Sequence, residues 1–236
     1  MKTRKEAEYV MTEAEQLQRD GYLLLRNAIA PEWLSELRSA FDSGILPGDR
    51  WPVPRSTDYH HSLLDHQPVV QALCRLPLLL AGIAELIRER FFLAQVEGRE
   101  PLRGGGMQLL HRDLSAQRPG DTALALAFFD DYGAENGATR LVPGSHRPEP
   151  DAPPLDGNDE SRAVQLSGAA GDILVFDADL VHAGSLNHSG ARRRSILISY
   201  LAEPLYASHL QTRTLRGVSM DCQERFEPAD FPWPGA

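Results

Sequence analysis

The chain has 236 residues, of which 42% are hydrophobic and 24% charged. That is the composition of an ordinary soluble globular protein, long enough to bury a core without staples. The formal net charge of −9 argues against nucleic-acid binding, which needs a basic footprint, and gives no attraction to an anionic membrane.

Taken in order, residues 1–6 are charged and no apolar run follows them, so no signal peptide is expected. Cys74 and Cys222 lie far apart with no CxxC pattern and read as two reduced thiols, which points to a cytoplasmic protein. Residues 6–19 are rich in Glu, Ala, Gln and Leu and predict a helix ended by Asp20-Gly21. Tyr22 to Arg26 predicts a short buried strand. Pro31 suits the first turn of a helix, with Trp33, Leu34, Leu37 and Phe41 at helical spacing and Gly44 as its stop. Residues 45–62, broken by Pro47, Pro52 and Pro54, read as loop. Two short helices are expected near 66–75 and 77–89. Phe91 to Val96 reads as a strand, and Arg103-Gly104-Gly105-Gly106 as a flexible turn.

From residue 107 the pattern becomes short strands separated by Gly/Pro turns. Ala123 to Phe129, Thr139 to Val142, Ile173 to Phe176 and Ser195 to Leu201 supply strands, with a turn at Asn136-Gly137. Residues 147–160 hold four prolines and many acids, so a surface loop is expected. The segment Arg147 to Arg162 reads either as a lid beside the active-site mouth that orders when substrate binds or as a solvated insertion. The set suggests a mainly β fold with flanking helices and a double-stranded β-helix core, a cupin-like jelly roll. One domain over residues 1–236 is the expectation, with its helix-rich N-terminal half packed on that core.

The chemistry concentrates at Met107 to Asp113. In a strand His111 and Asp113 would share one face. One imidazole and one carboxylate are two thirds of the 2-His-1-carboxylate set of non-haem Fe(II) oxygenases, which leaves open positions on the metal. Alone, His-x-Asp is a weak signal. Downstream, Gly171-Asp172 opens an apolar strand that turns back to His182. Arg192-Arg193-Arg194-Ser195 then enters another strand. There Arg193 and Ser195 share a face, and a guanidinium beside a hydroxyl can hold a carboxylate. A solvated basic hairpin end fits the same residues.

The sequence resembles the phytanoyl-CoA dioxygenase family of Fe(II)/2-oxoglutarate-dependent oxygenases. The resemblance rests on Arg19 to Arg26, Pro31-Glu32-Trp33-Leu34, His111-Arg112-Asp113 and Asp130 to Arg140. It continues through Val142-Pro143-Gly144-Ser145-His146, Gly171-Asp172, His182, Asn187, Ser189 and Arg193. It implies that His111, Asp113 and His182 ligate iron. It also implies that Arg193, eleven residues after His182, holds 2-oxoglutarate with Ser195. Gln108 is a further candidate for the co-substrate pocket. Two positions depart from the family, Leu110 and Leu126, where many members carry aromatic residues.

The implied reaction is hydroxylation of an unactivated C–H bond in a small organic substrate, using O2 and releasing succinate and CO2. Two rivals use the same three ligands: a zinc hydrolase and a non-enzymatic cupin-like metal-binding protein. His146 reads as structural. His60, His61 and His66 read as surface residues, Asp177 and Asp179 as solvated turn acids, and His188 and His209 show no pattern.

Overall fold

The computed structural model describes residues 11–148, 151 and 154–234. Helix α1 (Glu13–Asp20) begins at a reciprocal cap. Thr12 Oγ1 accepts from the Glu15 amide at 3.2 Å, and the Glu15 carboxylate accepts from the Thr12 amide at 2.9 Å. Two otherwise unpaired amides are satisfied, so the helix starts there. The earlier part of the expected helix, residues 6–10, lies outside the described residues. Gly21 ends α1 with φ 77°, and a Cβ there would sit 2.4 Å from the His146 ring. This contact explains His146, which packs on the turn and is 5% exposed.

Strand β1 (Tyr22–Leu25) and helix α2 (Leu34–Ser43) follow, as the apolar spacing indicates. Strands β2 (Ile45–Leu46) and β3 (Tyr59–Ser62) come next, in a stretch that reads as loop in the sequence. They are short, set among prolines, and carry no alternating apolar pattern. Pairing with a long neighbour makes them strands. Helices α3 (Pro68–Leu73) and α4 (Pro77–Ile87) each open on a proline, where the missing amide costs nothing.

The core strands are β4 (Phe91–Pro101), β5 (Thr122–Phe128), β6 (Arg140–Leu141), β7 (Val164–Gln165), β8 (Ile173–Asp177), β9 (His182–Ala183) and β10 (Ser195–Ala202). Helix α5 (Tyr206–Thr212) follows them. The larger sheet is antiparallel in the order β1-β8-β5-β10-β4-β3-β2, and the smaller is β7-β6-β9. This is the double-stranded β-helix that the strand pattern suggests.

Side-chain alternation explains why the central strands are apolar throughout. Ala123, Ala125, Ala127, Ile173, Val175, Ile196, Ile198 and Tyr200 join the core beneath the helices. Their neighbours Leu124, Phe128, Leu174 and Phe176 belong to a second cluster on the other face. A strand buried on both faces has no polar side. The alanines of β5 let α4 approach closely, and one buried aliphatic side chain in such a layer is worth about 1.5–3 kcal/mol. Cys74 and Cys222 are buried free thiols. Among the described residues no helix is long and apolar enough to cross a membrane.

Candidate active site

Residues 107–113 do not form a strand. The segment is extended but pairs only once, His111 with His182, because β9 is two residues long. After His111 the chain turns. Leu114 adopts φ 64°, and the amides of Asp113 and Leu114 both donate to Ala178 O at 3.1 Å. His111 and Asp113 still converge, through this turn rather than through strand alternation.

The turn is held from below. Arg112 Nε donates to Asp179 O at 2.9 Å, and Arg112 also donates to Ser145 O at 2.8 Å. The Asp179 carboxylate accepts from the Ser115 amide at 2.9 Å, and Asp177 accepts from the Asp179 amide at 2.8 Å. Asp177 and Asp179 are therefore not solvated turn acids. Asp177 is 7% exposed, and burial pushes its carboxyl up to about 6.

His111, Asp113 and His182 place one donor atom each within 4.8 Å of one another. His111 Nε2 lies 3.7 Å from one Asp113 oxygen, and His182 Nε2 lies 3.6 Å from the other. Both separations are too long for hydrogen bonds. They suit atoms that share one small cation, since metal–ligand bonds are about 2.0–2.2 Å. Each Nδ1 donates to the carbonyl two residues earlier, His111 to Leu109 O at 2.8 Å and His182 to Leu180 O at 2.9 Å. That fixes the tautomer and leaves both Nε2 lone pairs facing Asp113. Burial lowers the His182 pKa, while the Asp113 charge opposes it. A neutral imidazole is the ligating form.

The triad opens into a cavity of about 580 Å³, measured with its open side, lined also by Gln108, Leu126, Arg193 and Ser195. Arg193 is 4% exposed and its Nε–H finds no acceptor. No carboxylate among the described residues pairs with it. Its guanidinium carbon lies 4.4 Å over the Tyr132 ring, and Tyr132 stacks on Phe128 at 3.7 Å. Its neighbours are turned outward and paired. Arg192 bonds Glu100 at 2.7 Å and Asp42 at 2.7 Å. Arg194 bonds Asp130 at 2.8 Å. Burial alone would raise the Asp130 carboxyl, but Arg194 and Arg38 hold it low. These flanking pairs set the register that points Arg193 inward. Asn187 shapes the preceding turn by accepting from the Gly190 amide and donating to Pro101 O and Ala191 O.

Ser195 is 1% exposed and donates to Arg99 O at 3.0 Å. Gln108 Oε1 accepts from the Gly184 amide at 2.9 Å. A Cβ at Gly184 would lie 2.7 Å from Gly106 O and 3.1 Å from the Tyr59 hydroxyl. Glycine is needed there to keep the cavity wall closed behind the triad. Of the two departures from the family, Leu126 lines the cavity, whereas Leu110 packs on the opposite face with Val142 and Val181.

Sequence reasoning missed Tyr59, Tyr132 and Arg99 at this site. It also placed His61 at the surface, whereas His61 is 6% exposed and lies 3.0 Å from Glu97. Tyr59 and His61 sit on the unrecognised strand β3, and a single aromatic or imidazole there carries no signal. The described residues of 147–162 do not line this cavity. They line a separate depression with Leu110, Val142 and Val181, which alternate with the triad residues and face away from them.

A buried cation without a counter-ion, next to two histidines and a carboxylate on a cupin-type barrel, defines the class of iron- and 2-oxoglutarate-dependent oxygenases. The chain belongs to the phytanoyl-CoA dioxygenase family, whose model matches residues 17–195. It is an Fe(II)/2-oxoglutarate-dependent dioxygenase, with O2 as the family's co-substrate. It is 27% identical over 219 residues to the dioxygenase trt7 of Aspergillus terreus, covering 84% of this chain and 76% of that one. With the ectoine dioxygenase of Nocardia farcinica it shares 25% identity over 235 residues, 80% of this chain and 78% of that one. The crystal structure of HygX from Streptomyces hygroscopicus, with nickel and 2-oxoglutarate bound, superposes with a TM-score of 0.65 at 17% identity. It covers 82% of this chain and 88% of HygX.

Proposed function

We propose that His111, Asp113 and His182 hold Fe(II), and that Arg193 and Ser195 receive the far carboxylate of 2-oxoglutarate. We further propose that the enzyme, acting as one domain, hydroxylates an unactivated C–H bond of a small organic substrate, releasing succinate and CO2. The observation that carries this reading is Arg193, a buried guanidinium that no acidic side chain neutralises, in the same cavity as the triad. Burying an unpaired charge is costly, and a dicarboxylate bound between Arg193 and the triad would remove that cost. A zinc hydrolase has no use for such a cation.

When bound, Fe(II) supplies O2 activation coupled to oxidative decarboxylation of 2-oxoglutarate. The chain's own residues do the rest. Leu109 O and Leu180 O fix the imidazole rings. Ala178 O and Asp179 hold the Asp113 turn. Gln108, tied to Gly184, closes one wall beside the co-substrate. Leu126, Leu174, Phe176 and Leu197 give the cavity an apolar wall, and a low-dielectric wall strengthens an Arg193–carboxylate pair. Tyr132 supports the guanidinium by its ring face.

The test is 2-oxoglutarate turnover. Purified protein with Fe(II), 2-oxoglutarate and O2 is expected to form succinate, faster in the presence of its substrate. The substrate product is expected to gain one oxygen atom. Metal-dependent hydrolysis without any succinate formation would overturn the assignment.

A further inference from the structure

Beyond the triad a second, larger groove of about 1230 Å³, measured with its open side, shares Arg99, Asp113 and Leu197 with the cavity. Its lining mixes leucines and alanines with a row of polar side chains. The register pairs Ser195 with Arg99, Leu197 with Glu97, and Ser199 with Gln95. Gln95, Glu97 and Arg99 therefore line one face of β4. The near end holds a carboxylate, met by two guanidiniums and an imidazole. Glu97 is 2% exposed, and its oxygens meet His61 at 3.0 Å, Arg99 at 3.1 Å and Arg55 at 3.6 Å.

The far end differs. Arg216 is half-buried against the groove and bonds only neutral acceptors. These are Gln95 Oε1 at 2.9 Å, His209 Nδ1 at 2.8 Å and Thr212 Oγ1 at 3.4 Å. No carboxylate among the described residues reaches it. An arginine can only donate, so His209 Nδ1 is the acceptor and the proton of the neutral ring is on Nε2. His209 is 2% exposed, lines the same groove, and its Nε2 has no partner. Burial and the neighbouring Arg216 and Arg213 keep this ring neutral, with a pKa lowered to about 4. The groove thus ends in a cation without an anion and a buried donor without an acceptor. The unpaired N–H of the buried His209 ring calls for an explanation.

We propose that the groove seats a small polar substrate bearing an anionic oxygen group, a carboxylate or a phosphate, docked on Arg216 and His209. Its oxidisable carbon then lies towards Asp113. Gln95 and Arg99 are four residues apart on β4, so the two ends are separated by about 13 Å of strand. The substrate is thus a compact molecule rather than a long acyl chain. The proposal rests on the oxygenase reading above.

The experiment uses the full chain with Fe(II) and saturating 2-oxoglutarate in the absence of O2. The probes are small polar carboxylic acids, each paired with its primary amide, and phosphate monoesters, each paired with the parent alcohol. Calorimetric Kd and the shift in thermal midpoint are read for every pair. Charged members are expected to bind roughly 30-fold or more tightly than their neutral partners. Whichever arm carries the binders identifies carboxylate or phosphate. Arg216→Gln is expected to abolish the preference and Arg216→Lys to keep part of it, with 2-oxoglutarate affinity unchanged in both.

Equal binding of charged and neutral members, no binder in either arm, or a preference that survives Arg216→Gln would each overturn the proposal. The wild-type panel decides on its own if Arg216→Gln fails to fold. Absence of 2-oxoglutarate binding would instead sink the oxygenase reading, while the panel still reports on the groove.

Discussion

The cavity around the triad and the near end of the groove beyond it treat charge in different ways. In the cavity Arg193 is buried with no acid beside it. At the near end of the groove Glu97 is equally buried but surrounded by His61, Arg99 and Arg55. In the first no carboxylate meets the guanidinium, and in the second one carboxylate meets two. An unpaired buried charge marks where something binds, and a paired one marks what holds the walls. The contrast orders the expected effects of mutation.

The largest effect is expected at the triad. Asp113→Ala leaves two imidazoles, and 2-oxoglutarate turnover is expected to fall to background with Fe(II) no longer bound stoichiometrically. Metal titration and succinate assay check this. A variant that keeps both would remove the triad from the argument.

Next come the three consecutive arginines, which set the two kinds of charge side by side. Arg193→Ala is expected to weaken 2-oxoglutarate binding by about 2–5 kcal/mol, with Fe(II) still bound. Arg192→Ala and Arg194→Ala are expected to leave the 2-oxoglutarate KM unchanged and to lower stability instead. Arg192 is 46% exposed in its side chain but is also the guanidinium partner of the buried Glu100, so its loss should cost more than an exposed ion pair does. Loss of Arg194, 11% exposed and paired with Asp130, should do the same. Three equal KM effects would show that burial does not distinguish these residues.

Glu97 sharpens the other side of the comparison. Burial would raise its carboxyl, but Arg99, His61 and Arg55 hold it down at about 2. A carboxylate depressed in the folded state contributes stability that is complete above its unfolded pKa, near 4.3. That stability is lost as pH falls through the window from about 4.3 to about 2. Glu97→Gln is therefore expected to destabilise the protein at neutral pH by on the order of 3 kcal/mol. The gap from wild type should close as pH falls through that window. Denaturant melts at several pH values measure it. A gap independent of pH would mean that Glu97 acts by shape and not by charge.

The two regions also differ in how far the sequence reveals them. His182 opens a short strand and Arg193 stands just before another, while His111 and Asp113 lie on an extended segment and its turn. His-x-Asp and the arginine run are weak signals alone, and it is the resemblance to a family, carried by stretches such as Asp130 to Arg140 and Val142 to His146, that singles them out. The groove is built from every second residue of β4 and β10 together with a C-terminal helix. Gln95, Ser199, His209 and Arg216 are unremarkable one by one. Only the register of β10 on β4 brings them together. The same holds for Tyr59 on β3, whose strand exists because β4 offers an edge. In the other direction, local reasoning overstated order at 107–113. An apolar run suggests a strand, but a strand needs a partner, and β9 is too short to give more than one bridge.

The smallest effect is expected at the segment 147–162. Gly157 O accepts from the Leu110 amide at 3.0 Å, on the edge away from His182. Glu160 pairs with Arg140, and its side chain is 42% exposed. Arg140 also donates to the carbonyls of Gln108 and Gly184, so it stays anchored when Glu160 is lost. Glu160→Gln is therefore expected to cost about 1 kcal/mol or less, as exposed ion pairs do. The 2-oxoglutarate KM should not move. Hydrogen exchange at 154–162 is expected to be the same with Fe(II) and 2-oxoglutarate alone as with substrate added, because these residues face the outer side of the smaller sheet. Protection that rises on adding substrate would show that this outer face closes over the site after all, and the separation of the two faces by strand alternation would have to be abandoned.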